Sequence, residues 1–420
     1  MANKSYHEQF KIDTDLKLRE KLKELPYFAS QFFRGIEPTT SARTRMAYAY
    51  DLSIFFNYLY NETGVGGGRK IRDWPVSVLD NVTPVMIQDY LDYLKVYSNP
   101  DSMERSNSER GIMRKLSSVR SLYKFFYQIE AIKNNPAAIV RMPKINEQNI
   151  VRLDTDEVAE LLDEVESGKD LTARQQHFHE KTKVRDLAII TLLLGTGIRV
   201  SECVGLDIGD IDFKNHGIRI IRKGGNQVVV YFGDEVEDAL LDYLTERNSI
   251  IPLPGHENAL FLSIQKKRIS VRSVENLVKK YSSLVVTLKK ITPHKLRSTY
   301  GTSLYRETGD IYLVADVLGH SDVNTTKKHY AAIEDSSRRY ARNMVTLRGS
   351  ENNEDRSAYE NKTDNDIEIV NIGNEDHTYI DDAKTEDTAE IDDIFNVFDE
   401  IDIFNDTDEP DKKMENDDLG

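Results

Sequence analysis

One cysteine, Cys203, is all that the 420 residues contain. This excludes an internal disulfide and any zinc site built from several thiolates, and it fits a reducing compartment. No stretch approaches the roughly 20 consecutive apolar residues of a membrane span. The opening MANKSYHEQF also lacks the apolar core of a signal peptide. A cytoplasmic protein without membrane contact is the expectation. Net positive charge is missing too: the formal charge is −15, the wrong sign for a surface that holds phosphates. That average hides a division. Residues 351–420 hold 26 Asp and Glu against 5 Lys and Arg, a net of −21, so residues 1–350 carry +6. The body is basic and the tail acidic.

What is present reads as a largely helical, two-domain chain, with 39% hydrophobic and 30% charged residues. In residues 38–62, Ala49, Leu52, Phe56 and Leu59 recur at helical spacing after the start signals of Pro38 and its Thr/Ser neighbours. The loop GVGGGRK ends that helix. A second helix opens at Thr83-Pro84 and carries Ile87, Leu91 and Leu94 on one face. A third runs from about Glu109 to Ile132, with Ile112, Leu116, Val119, Tyr123 and Phe126 on its apolar face. Arg114, Lys115, Arg120 and Lys124 lie off that face, which predicts a basic surface.

The segment NNPAAIVRMPKINEQN has no periodicity and reads as a linker. Beyond it, Asp154 with Glu157 resembles a capping box, and Thr155 is an equal candidate for the N-cap. The apolar run DLAIITLLLGTG from Asp186 is too long for an ordinary strand and predicts a buried helix with a glycine C-cap. Residues 217–232 place β-branched runs on both sides of Gly224-Gly225, the pattern of a hairpin. From about Ile269 to Met344 the chain reads as helices with short turns. Past residue 350 a disordered, solvating tail is expected. IDDIFNVFDEIDIF within it alternates apolar and acidic residues, which leaves open a partner-binding helix or a shield for a basic groove.

Six positions spread over about 130 residues carry chemistry: Arg199 in GTGIRVSE, Lys223 in RKGGN, His294 and Arg297 in TPHKLRSTYGTSLY, His320 in VLGHSD, and Tyr330 in TTKKHYAAI. Breaking a phosphodiester without a metal needs an oxygen nucleophile, cations for the non-bridging oxygens and an acid for the departing oxygen. Two arginines supply planar forks that lysine cannot imitate. The bland rival for Arg199 is an ordinary ion pair with Glu202, one helical turn away. His177 and His179 lack further ligands at metal spacing and read as a surface helix, so no metal site is expected.

In order and type these six residues resemble the active site of the tyrosine recombinases, a family that includes phage integrases and the Xer proteins. The resemblance extends over about residues 20–345. RKLSSVRSLYKFFY resembles the DNA-facing helix of Xer-type proteins, and ITPHKLR and RKGGN resemble single-protein Xer systems of low-GC Gram-positive bacteria. It implies that Arg199 and Arg297 clamp the scissile phosphate, with His294 and His320 donating to it or aiding proton transfer. Lys223 would protonate the leaving oxygen, Glu202 would support its neighbours, and Tyr330 would be the nucleophile, with Tyr340 as the alternative. Ten residues separate His320 from Tyr330, as in some integrases, where many members show nine.

The implied fold is mainly α with a small antiparallel sheet, arranged as a two-domain DNA clamp followed by a disordered acidic tail. The boundaries read as an N-terminal extension (1–24), a helical core-binding domain (25–140), a linker (141–153), a catalytic domain (154–348) and the tail (349–420). Arg114, Lys115, Arg120 and Lys124 are the candidate DNA contacts of the first domain. The partners implied are double-stranded DNA sites, three further copies in a homotetramer joined through residues 335–345, and a regulatory protein. No cofactor, ATP or metal is implied. The expected function is site-specific recombination that resolves chromosome or plasmid dimers. The alternatives are the integrase of a mobile element and a DNA-binding regulator without catalysis.

Overall fold

The computed structural model describes residues 6–98, 104–143, 151–222, 225–320 and 323. Lys223, Tyr330, Tyr340, the segment 335–345 and the tail from 349 lie outside the described residues.

Among the described residues, two large hydrophobic cores follow one another along the chain. The first is built from α1 (Tyr6–Leu22), α2 (Ala29–Gly35), α3 (Ala42–Tyr58), α4 (Pro84–Tyr93) and α5 (Glu109–Gln128), with a short ribbon of β1 (Val96–Ser98) and β2 (Glu104–Ser106). Its starts are set by short polar side chains. Ser41 accepts the Thr44 N–H at 3.1 Å, Thr83 that of Met86 at 3.2 Å ahead of Pro84, and Ser108 that of Gly111 at 3.3 Å. The helix expected over 38–62 begins at Ala42, because Pro38 sits in a separate 3₁₀ turn, and a π turn at Leu59–Thr63 finishes it. The third helix stops at Gln128, short of Ile132, where Glu130 takes the left-handed φ of 56°.

The stretch expected as an extension contributes to this core. α1 packs along α3, Leu18 is buried, and Asp15 reaches Arg45 of α3 at 3.1 Å. Phe32, Phe55, Phe56, Tyr90, Tyr123 and Phe126 form the aromatic centre. The segment read as a linker starts inside the same core, with Ala137 and Val140 buried.

The second core holds α6 (Thr155–Ser167), α7 (Ala173–His179), α8 (Lys183–Thr196), α9 (Val200–Gly205), α10 (Asp234–Arg247), α11 (Val271–Val285) and α12 (Pro293–Thr308). α13 (Ile311–Leu318) packs on α12 through Val314 and Leu318. Asp154 is the N-cap of α6, its N–H bonded to Glu157 Oε2 at 2.7 Å. α8 is the central helix, with Ile189, Ile190, Leu192 and Leu193 fully buried among α6, α10 and α12. The strands β3 (Ile211–Asp212), β4 (Gly217–Ile221) and β5 (Gln227–Tyr231) form one antiparallel sheet in sequence order. Ile218 and Ile220 point inward and Val230 faces them, while Arg219 and Tyr231 face solvent. The hairpin pairs Ile221 with Gln227 and is closed by Arg222 N–H to Asn226 O (2.8 Å) and Gly225 N–H to Arg222 O (3.0 Å). No helix among the described residues is long and apolar enough to cross a membrane.

Candidate active site

Gly197 ends α8 with φ +62°, and a Cβ there would lie 2.4 Å from the Tyr300 ring. Glycine therefore serves two demands, a left-handed turn and close approach to α12. The turn delivers Arg199 to the head of α9, where Glu202 does two jobs. One carboxylate oxygen accepts the Arg199 backbone N–H at 2.8 Å, and the other meets the Arg199 guanidinium at 3.0 Å. The ion pair weighed from spacing exists, and it orients a cation whose side chain is only a quarter exposed.

Arg297 lies in the second turn of α12 and is 5% exposed. Its guanidinium donates to Gly197 O at 2.5 Å and to Leu318 O. One side chain thus ties the turn before Arg199 to the end of α13. His294, three residues earlier in the same helix, is exposed, with Pro293 as the first helical residue ahead of it. α13 closes with Gly319 in the left-handed region, Gly319 N–H bonded to Asp316 O and His320 N–H to Ala315 O, both at 2.9 Å. This Schellman closure places His320 directly beyond the carbonyl that Arg297 holds.

A third guanidinium, from Arg222 at the end of β4, donates to Asp316 O at 3.2 Å and Val317 O at 2.6 Å. Burial, the largest cause, holds its pKa below the usual arginine value. Glu202 and Asp316 oppose that shift, and Arg199 adds to it. Arg222 thus feels the charges of both Arg199 and Glu202. Nothing in the sequence around RKGGN singles out Arg222. Its importance depends on carbonyls about 95 residues away, and a backbone acceptor leaves no mark in side-chain type.

The structure therefore gathers Arg199, Glu202, Arg222 and Arg297 with the turn bearing His320. Lys223 follows Arg222 directly in the chain.

The basic residues of α5 differ from the expected surface. Arg114 pairs with Asp51 of α3 at 2.9 Å, and Lys115 reaches Asn107 Oδ1 at 2.8 Å and Asp51 at 3.8 Å. Arg120 donates to Ala137 O at 3.2 Å and to Val140 O. Lys124 is exposed. The first three turn inward because α5 is wrapped by α2, α3 and the 136–138 turn, which leaves a narrow solvent face. Burial raises the pKa of Asp51, and Arg114 and then Lys115 pull it back.

His177 and His179 do lie on a helix, α7, and His177 is exposed, but His179 is 1% exposed. Its Nδ1 lies 2.9 Å from the Tyr281 hydroxyl, which donates to Asp186 Oδ2 at 3.2 Å. Burying one histidine completes a polar chain under α8. His216, Asp234 and Glu237 bring ligand atoms within 4.8 Å of one another at the surface. His216 Nδ1 is already paired with Glu237 at 2.8 Å.

Residues 151–337 match the phage integrase family. Tyrosine recombinase XerC of Caldanaerobacter subterraneus subsp. tengcongensis is 34% identical over 343 residues, covering 79% of this chain and 90% of that protein. Tyrosine recombinase XerS of Streptococcus pneumoniae is 30% identical over 344 residues, covering 76% of this chain and 96% of that protein. Among solved structures, the XerH site-specific recombinase in its post-cleavage complex with difH aligns with a TM-score of 0.54 at 18% identity, over 72% of this chain and 81% of that one. The Tn1549 transposon integrase with circular intermediate DNA also aligns at 0.54, with 21% identity over 74% of this chain and 98% of that one.

Proposed function

The chain belongs to the tyrosine recombinase family, and from that premise we propose that it cuts and rejoins double-stranded DNA at specific sites through Tyr330, resolving chromosome or plasmid dimers. One observation carries the reading. Arg297 bonds both the turn that leads to Arg199 and the helix end that leads to His320, so three motif segments distant in sequence share one anchor.

The chemistry follows from the residue types. Arg199 and Arg297 neutralise the non-bridging oxygens of the scissile phosphate. Two carbonyls hold the Arg297 guanidinium and fix the plane in which it would meet a phosphate. His320 donates one more hydrogen bond. The Tyr330 oxygen attacks phosphorus as His294 takes the phenolic proton. As the new P–O bond forms, the bond to the 5′ oxygen breaks, and Lys223 gives that oxygen a proton. A 3′-phosphotyrosine conserves the bond, and a 5′ hydroxyl from a second duplex reverses the step. In this reading four protomers act on two sites in the cytoplasm, and residues 335–345 link neighbours. The names of the relatives at 30–34% identity favour a Xer-like role over a mobile-element integrase.

The test uses the full chain and a nicked duplex carrying its site, found by sequencing covalently captured genomic DNA. Wild type should trap a covalent complex that survives denaturant, and Tyr330→Phe should trap none while Tyr340→Phe does. Absence of the complex in wild type under binding conditions would end the enzyme reading. Retention by Tyr330→Phe would move the nucleophile elsewhere.

A further inference from the structure

We infer that Arg222 is a positioning residue that locks the end of the β4–β5 hairpin to the end of α13, so that Lys223 and His320 are set as one unit. The inference rests on the proposal that Lys223 is the general acid.

Arg222 is held at both of its ends. Its backbone is fixed by the hairpin, the N–H bonded to Asn226 O at 2.8 Å and the C=O accepting the Gly225 N–H at 3.0 Å. Its side chain crosses to another element and caps the exposed end of α13 through Asp316 O and Val317 O. Those carbonyls belong to the last turn of a helix, where backbone donors run out and cations are attracted, although Asp316 O also accepts the Gly319 N–H. Arg297 takes the next carbonyl, Leu318 O. Three consecutive carbonyls are therefore capped by two guanidiniums from different parts of the chain.

The fit is close. A Cβ at Gly319 would come within 1.9 Å of Arg222 Nη1 and 2.4 Å of its Cζ, so only glycine at 319 lets the guanidinium lie against the helix end. Nε of Arg222 is buried without a protein partner, so the side chain accepts an unmet donor to hold this position. A surface lysine or arginine at a hairpin tip does not do so. Lysine at 222 has one donor centre and cannot span two carbonyls with a rigid fork.

The consequence concerns proton delivery. A general acid works only within hydrogen-bond reach of the oxygen it protonates, and a lysine side chain is a long, flexible stem. Tying the preceding residue to α13 limits where that stem can start.

The test compares cleavage of ordinary DNA with cleavage of the same site carrying sulfur in place of the bridging 5′ oxygen, because a thiolate leaves without a proton. Lys223→Ala should lose about 10²–10⁴-fold on ordinary DNA and recover on the sulfur substrate. Arg222→Met should lose roughly 10–100-fold on ordinary DNA, a fraction of that same contribution, and also recover, with Arg222→Lys in between. Equal loss on both substrates by Arg222→Met, with Lys223→Ala recovering, overturns the proposal. Failure of Lys223→Ala to recover overturns the general-acid reading instead.

A second readout addresses the tie itself. Spin labels at Val229→Cys and Tyr312→Cys, both exposed, report the hairpin-to-α13 distance, with Cys203 buried and unlabelled. The distribution should be narrow with Arg222 and broad with Arg222→Met. An unchanged distribution overturns the tie whatever the kinetics show.

Discussion

Arg114 in the first core and Arg297 in the second are both largely buried guanidiniums, yet they answer to different partners. Arg114 meets a carboxylate, Asp51, which is itself 1% exposed and shared with Lys115. Arg297 meets the backbone carbonyls of Gly197 and Leu318, and Arg222 those of Asp316 and Val317. A carboxylate cancels the charge it orients, whereas a carbonyl dipole orients it without carrying an opposite charge. The first arrangement builds an interior. The second fastens separate chain segments together around Arg199, which Glu202 steadies.

The contrast breaks most visibly through paired substitutions. Arg297→Ala should slow single-turnover cleavage by about 10²–10³-fold, the cost of losing one aimed donor to developing charge. Arg114→Ala should leave the cleavage step of the folded protein intact and lower unfolding free energy by about 3–5 kcal/mol, because Asp51 stays buried with its nearest cation gone. Urea unfolding of the same preparations checks the second half. A catalytic defect without a stability loss in Arg114→Ala would erase the distinction.

A smaller effect reports on the interior behind Arg199 and Glu202. Burial, with Glu202 beside it, pushes the Cys203 thiol up to about 12. The unfolded thiol ionises near 9 and the folded one near 12. Stability therefore falls as pH rises through that window, by about 1.4 kcal/mol per pH unit. Cys203→Ala should remove that slope relative to wild type, and a thiol reagent should label Cys203 only on unfolding. Fast labelling at pH 8 would place the thiol in an opened site.

The smallest effect separates the cations of α5. Lys124 is exposed, so Lys124→Ala should reduce DNA affinity severalfold and lower the salt dependence by about one phosphate contact. Loss of the Arg120 charge should act on stability, through Ala137 and Val140. A salt series on both variants tests this.

Much of the fold was legible because apolar periodicity and capping are local. Ser, Thr and Pro around residues 38–41, Thr83-Pro84, Asp154 with Glu157, and the β-branched runs around Gly224-Gly225 each announce an element within a few residues. The candidate site was legible as an ordered set of types, and the structure links three of its segments. Three things were hidden. The inward turn of Arg114 and Lys115 depends on Asp51, 63 residues before Arg114, and a helical wheel shows which residues are apolar, not which charges find a partner. His179 is buried by Tyr281, which lies 102 residues further on. Arg222 acts on main-chain oxygens, which every residue possesses.

The double grip of Arg297 also sets a clock on synthesis. Its acceptors, Gly197 and Leu318, lie 121 positions apart, which is roughly 6–24 s of ribosome time at about 5–20 residues per second. The first core is complete in the growing chain long before that. A nascent polypeptide therefore holds every residue of the first core well before Arg297 has both of its acceptors.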